Sequence, residues 1–146
     1  MTLSLCEVFQ VVRDWKKHHY LGFDLWPADD LEKKRKHLRF CFDAGYLTLL
    51  TDSRDRLEGF LVFYRAPHYG GLDKNDPAPR GRFVVCDALW IRPDLRGTDT
   101  LRRLIQKALR DNAARLQGAK TLVFHDEKHN FEELFFDFEK FRRKFA

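Results

Sequence analysis

The chain has 146 residues, 44% hydrophobic and 14% aromatic, which is material for one hydrophobic core, so a single domain over residues 1–146 is expected. No run approaches the ~18–20 apolar residues that span a bilayer, and Met1-Thr2-Leu3-Ser4-Leu5-Cys6 lacks the basic start and apolar run of a signal peptide, so a cytoplasmic protein without membrane contact is expected. The widely spaced Cys6, Cys41 and Cys86 fit neither a disulfide framework nor a zinc pattern, and a net charge of +5 favours anionic partners (phosphate-bearing cofactors, nucleic acid or acidic proteins) without choosing among them.

Along the chain, Leu5, Val8, Phe9, Val12 and Trp15 share one face of a predicted amphipathic helix over residues 5–19. A turn from Gly22 to Pro27 leads to a second predicted helix, capped by Asp29 or Asp30 and closed by Gly45. It carries Leu31, Leu38, Cys41 and Phe42 inward and Lys33-Lys34-Arg35-Lys36 outward. Residues 46–52 and 57–65 read as an antiparallel hairpin around a turn at 53–56. The stretch 66–81, with Pro67, Gly70, Gly71, Pro77, Pro79 and Gly81, is a long loop of the kind that often covers a site.

Phe83 to Ile91 is apolar on both faces except for Asp87, the pattern of a central strand. Leu101, Leu104, Ile105, Ala108, Leu109 and Leu116 trace a helix closed by Gly118, and residues 120–125 form a short strand. Phe131, Leu134, Phe135, Phe138, Phe141 and Phe145 fall at helical spacing, predicting a last helix whose other face carries Lys140, Arg142, Arg143 and Lys144. This order predicts an α+β fold, a three-layer α/β/α sandwich.

Two places carry chemistry. An acid alone in an apolar strand is costly unless paired or used, so Asp87 is either a general base, the partner of an Arg or Lys, or a side chain bonded to backbone at a bulge. The junction from Leu89 to Leu104 runs from strand into helix, where unpaired N–H groups and the positive end of the helix dipole suit a pyrophosphate; Arg96, Arg102 and Arg103 add cationic donors. His125-x-x-x-His129 with Asp126 and Glu127 has ligand-like spacing but straddles a strand end, so no metal site is expected. His18-His19, Lys33 to Arg39 and Arg142 to Lys144 read as solvated faces. Nucleic-acid contact stays open, although no recognised binding motif appears.

Ile91-x-Pro93-x-x-Arg96-Gly97 resembles the hydrophobic-x-Pro-x-x-Arg-Gly signature of the GNAT superfamily of N-acetyltransferases, and the order of elements is similar to that family's. The resemblance implies a GNAT-like mixed sheet, with little room before residue 5 for the family's first strand and none after Ala146 for its last. It implies acetyl-CoA (coenzyme A) as cosubstrate and an amine as acceptor. The pyrophosphate would meet Arg96, Gly97, Thr98, Thr100, Leu101 and Arg102, and the backbone at Leu89, Trp90 and Ile91 would polarise the thioester carbonyl. Asp87, nine residues before Arg96, matches the glutamate that in polyamine-type members helps deprotonate the amine. Asp99 and Leu101 stand where the family has glycines, so Thr98 and Thr100 would donate hydroxyls instead, and Phe138 holds the place of the family's proton-donating tyrosine, leaving solvent, Tyr64 or Tyr69 to substitute. Two functions follow: an acyl-CoA-dependent N-acyltransferase, or a catalytically inactive GNAT-like binding or assembly module similar to the trimmed forms carried by bacteriophages. Open sheet edges also suggest a homodimer.

Overall fold

The computed structural model describes residues 2–14, 21–22, 31–66, 82–126 and 132–146. Residues 15–19 of the first predicted helix, the caps Asp29 and Asp30, nearly all of the loop 66–81, and His129 and Asn130 lie outside them.

Helix α1 spans Leu3–Arg13. The Thr2 hydroxyl accepts from the Leu5 amide, and Leu5, Val8, Val11 and Val12 are buried on one face. The carboxylate of Asp55 takes hydrogen bonds from the Leu3 amide at 3.1 Å and the Ser4 hydroxyl at 3.0 Å, placing negative charge at the positive end of the helix. A two-residue strand β1, Leu21–Gly22, precedes helix α2, Leu31–Asp43. Gly45, at φ +78°, closes α2 by a left-handed turn that lets the Tyr46 amide reach back to the Cys41 carbonyl at 2.8 Å. Arg115 donates to the carbonyls of Ala44 and Gly45 and lies over the Tyr46 ring.

Strands β2, Leu47–Thr51, and β3, Leu57–Ala66, form the predicted hairpin. In its turn, Asp52 accepts from the amides of Arg54 and Arg56, and these bonds hold its carboxyl below the usual carboxylate range. Strand β4, Phe83–Ile91, has the predicted bounds. A 3-10 turn at Pro93–Leu95 leads into α3, Thr100–Asp111, and the short α4, Ala113–Leu116. The single predicted helix over this region is therefore broken at Asn112, whose side chain is buried and donates to the Ala108 carbonyl four residues back.

Strand β5 is Thr121–Asp126. The predicted last helix is corrected: Glu132–Asp137 is strand β6, antiparallel to β5, and only Phe138–Lys144 is helical, as α5. The phenylalanine spacing suits a helix, but the edge of β5 needs a partner, and the Asp137 carboxylate, accepting from the Lys140 amide at 2.9 Å, starts the helix there.

The sheet runs β2-β3-β4-β5-β6, antiparallel except where β4 and β5 run parallel, with β1 antiparallel on β4. Helices α1 and α2 cover one face over Phe60, Val62, Tyr64, Val85, Ala88 and Trp90. Helices α3 and α5 cover the other over Leu61, Phe63, Val84, Cys86, Leu89 and Ile91. The three-layer α/β/α sandwich is thus present. Burial on both faces explains why β3 and β4 read as continuous apolar runs. No helix among the described residues is long and apolar enough to cross a membrane.

Candidate functional site

The site begins with an irregularity in β4. Strand β3 alternates regularly, with Phe60, Val62 and Tyr64 toward α1 and α2, and Leu61 and Phe63 toward α3. On β4 the alternation slips: Val85, Ala88 and Trp90 face α1 and α2, whereas Cys86, Leu89 and Ile91 face α3. The pairing register shifts at the same place, Val62 lying opposite Ala88 and Phe63 opposite Cys86, so Asp87 is the extra residue of a β-bulge. The bulge turns Asp87 toward α2 beside Ala88.

Among the described residues Asp87 meets neither arginine nor lysine. Its Oδ2 lies 2.8 Å from Nε2 of His37 on α2, which donates to it, and Cys41 Sγ lies 3.6 Å from the same nitrogen. The Asp87 side chain is 2% exposed and that of His37 14%, so the imidazole is the member of the pair that reaches toward solvent. Burial pushes the Cys86 thiol well up, and the Asp87 carboxylate beside it adds to the shift, so this cysteine stays protonated and is no nucleophile.

His37 was missed in the sequence because it sits inside a basic run that reads as a solvated face. The available signal was its spacing: residues four apart share a helix face, and Cys41 was assigned inward. The inward face of α2 is corrected accordingly, since Leu38 and Cys41 are buried while Phe42 is 41% exposed.

Beyond the bulge the two parallel strands part. β4 pairs with β5 from Phe83 to Cys86, and from Ala88 to Leu89 its edge is taken instead by β1, with Gly22 opposite Ala88 and Leu21 opposite Leu89. Of the three backbone positions expected at a thioester, Leu89 is therefore paired on both edges. The Ile91 carbonyl accepts from Arg96 Nε at 2.9 Å, and the Trp90 ring stacks on Phe60.

The following loop is tightly held. Arg92 pairs with Asp94 at 2.8 Å, Gly97 turns the chain at φ +84°, and the Thr98 amide bonds back to the Leu95 carbonyl. The Thr98 hydroxyl contacts the Leu95 carbonyl and lies 2.9 Å from the Thr100 hydroxyl, which is buried. Both hydroxyls thus fix the start of α3. Asp99 lies 3.5 Å from Arg103, which also reaches Glu58 at 3.5 Å. Arg102 is exposed and, among the described residues, has no hydrogen-bond or ion-pair partner. The sequence-predicted residues Arg96, Gly97, Thr98, Thr100, Leu101 and Arg102 are therefore gathered at one helix start, with Arg96 and both threonines engaged within the chain.

Phe138 is 1% exposed and packs in the core beneath α3. Tyr64 is as deeply buried, against Tyr46, and Tyr69 lies outside the described residues. Among the described residues no cluster of His, Cys, Asp and Glu could hold a metal ion.

No family model matches the chain, and no curated protein does. Solved structures do. A ribosomal-protein-alanine N-acetyltransferase from Brucella melitensis superposes with a TM-score of 0.53 at 14% identity, over 82% of this chain and 67% of that one. A protein assigned as a phosphinothricin N-acetyltransferase superposes with a TM-score of 0.54 at 17% identity, over 84% and 69%. The bulged central strand, the turn through Arg96-Gly97 and the helix it feeds therefore stand in a chain that has the GNAT acetyltransferase fold.

Proposed function

We propose that the protein is an acyl-CoA-dependent N-acyltransferase that transfers an acetyl group to an amine. The observation that carries the reading is the Asp87 bulge. One irregularity presents a buried carboxylate to His37 and ends the β4–β5 pairing just before the signature turn into α3. The residues at that turn suit a pyrophosphate. Arg102 is exposed, the amides of Leu101 and Arg102 precede the first four-residue backbone bond of α3, which runs from Arg103 to Asp99, and Arg103 offsets the charge of Asp99. Structural neighbours that are N-acetyltransferases support the same class.

In this mechanism acyl-CoA supplies an activated acyl group, and the chain holds its two reacting partners. Backbone N–H groups of β4 beyond the bulge polarise the thioester carbonyl. The amine nitrogen forms the new C–N bond as the C–S bond breaks. The hydrogen-bonded His37–Asp87 pair takes the amine proton, the imidazole being the member exposed enough to meet the amine. Asp87 therefore acts through His37 rather than on the amine itself. With phenylalanine at position 138, the departing thiolate takes its proton from water. A cytoplasmic location and a second copy as partner belong to the same proposal, the first supported by three free cysteines and the second by the exposed Phe135 and Phe136 on the outermost strand.

Calorimetric titration with acetyl-CoA and CoA tests the reading. Micromolar binding is expected, weakened about tenfold by Arg102→Ala through loss of a charge-assisted contact. Absence of binding, both in the native chain and in a chain whose residues 21–22 cannot pair with β4, would leave the second function: a GNAT-like module without catalysis. The engagement of the Thr98 and Thr100 hydroxyls within the chain favours that alternative.

A further inference from the structure

The two backbone edges of β4 differ in what covers them. On one side β3 runs its whole length, with Leu61 opposite Leu89, Phe60 opposite Trp90 and Gly59 opposite Ile91. On the other, β5 stops pairing at Cys86, and past the bulge the edge belongs to β1, which also lies against β5. An extended piece of the chain's own backbone thus occupies the widening between the two parallel strands. A carbonyl can reach the β4 amides beyond Asp87 only from this edge, since β3 saturates the other.

We propose that β1 is a self-strand that closes the acyl-CoA edge of β4 and must leave it before a thioester can dock. The inference rests on the acyl-CoA reading of the site and names its regulation. A two-residue ladder is short, so it opens at small cost compared with the long β3–β4 pairing. The apparent affinity for acyl-CoA is then the intrinsic affinity reduced by the fraction of molecules in which the edge is open. Anything that draws residues 21–22 away from β4 would raise that fraction and switch the site on.

Successive N–H groups along a strand point to opposite edges, so proline at both positions removes whichever one faces β4. The double variant Leu21→Pro/Gly22→Pro is expected to bind CoA and acetyl-CoA at least about fivefold more tightly than the native chain by calorimetry. Equal or weaker binding in the folded variant overturns the self-strand and leaves the acyl-CoA site standing. Binding by neither protein overturns the acyl-CoA reading itself. Hydrogen exchange on the unaltered protein provides a measurement independent of the variant's folding. Saturating acetyl-CoA should speed exchange in the segment holding Leu21 and Gly22 while Ala88 and Leu89 stay protected. Unchanged exchange at residues 21–22 in protein that binds acetyl-CoA would overturn the proposal.

Discussion

Replacing His37 by leucine is expected to cost about 3 kcal/mol of folding stability, because the Asp87 carboxyl would stay buried without its hydrogen-bond donor. Leucine fills much of the imidazole's volume but donates nothing. The double variant His37→Leu/Asp87→Leu removes the orphaned carboxyl as well and should return to within about 1 kcal/mol of the native chain, as buried polar pairs replaced by apolar residues commonly do. Urea unfolding at constant m-value measures both. A double variant no more stable than His37→Leu would show that Asp87 is satisfied by something other than His37. The proposed catalysis would read the same pair differently. With an amine acceptor found by screening, Asp87→Asn and His37→Gln should each lower kcat by about 10²–10³, the usual worth of a general base, while acetyl-CoA affinity changes by less than about twofold. Combining them should cost little more than either alone, since the two residues act as a unit.

This pair shows how far the sequence carries. Asp87 was visible because a carboxylate in an apolar strand violates the pattern around it, and the bounds of β4 were visible for the same reason: a nine-residue strand with eight residues buried leaves no ambiguity of period. The hairpin and the closing turns at Gly45 and Gly118 were legible from turn chemistry, and both glycines adopt positive φ. Three features were not legible. A bulge at Asp87 stood among the alternatives, but the partner of its carboxyl, His37, comes from fifty residues upstream. Strand β1 is too short to have a period, so only the empty edge of β4 reveals why it forms. In residues 131–145 the phenylalanine spacing fits a helix, yet the first half pairs with β5, because hydrogen-bonding demand at a sheet edge outweighs a local pattern. The threonines at 98 and 100 show a subtler limit. Their place at the helix start was evident, but whether their hydroxyls turn outward to a ligand or inward to the chain depends on the turn at Gly97, where φ is positive.

The second large effect is expected at Gly59, far from any motif. It is buried on β3 opposite Ile91, and a Cβ there would lie 2.8 Å from Ile91 Cδ1, 2.9 Å from the Trp90 carbonyl oxygen and 3.3 Å from Leu104 Cδ2. The two side-chain ends can rotate away, but the carbonyl belongs to the ladder that joins β3 to β4 and cannot move without breaking it. Gly59→Ala is therefore expected to destabilise by about 2–3 kcal/mol, at the upper end of ordinary overpacking, and Gly59→Val to prevent folding at ambient temperature. Trimming the neighbour with Ile91→Val should recover only part of the loss, because the contact with the carbonyl remains. Thermal unfolding of the three variants decides the point, and full recovery in the double variant would place the strain in the side chain instead. The consequence reaches the site, since Trp90 and Ile91 form the end of the strand from which the signature turn departs, and Leu104 seats α3 upon it. On the proposed acyl-CoA reading, folded Gly59→Ala protein should accordingly bind acetyl-CoA more weakly, even though Gly59 lies within the sheet and touches no residue proposed to hold the pyrophosphate.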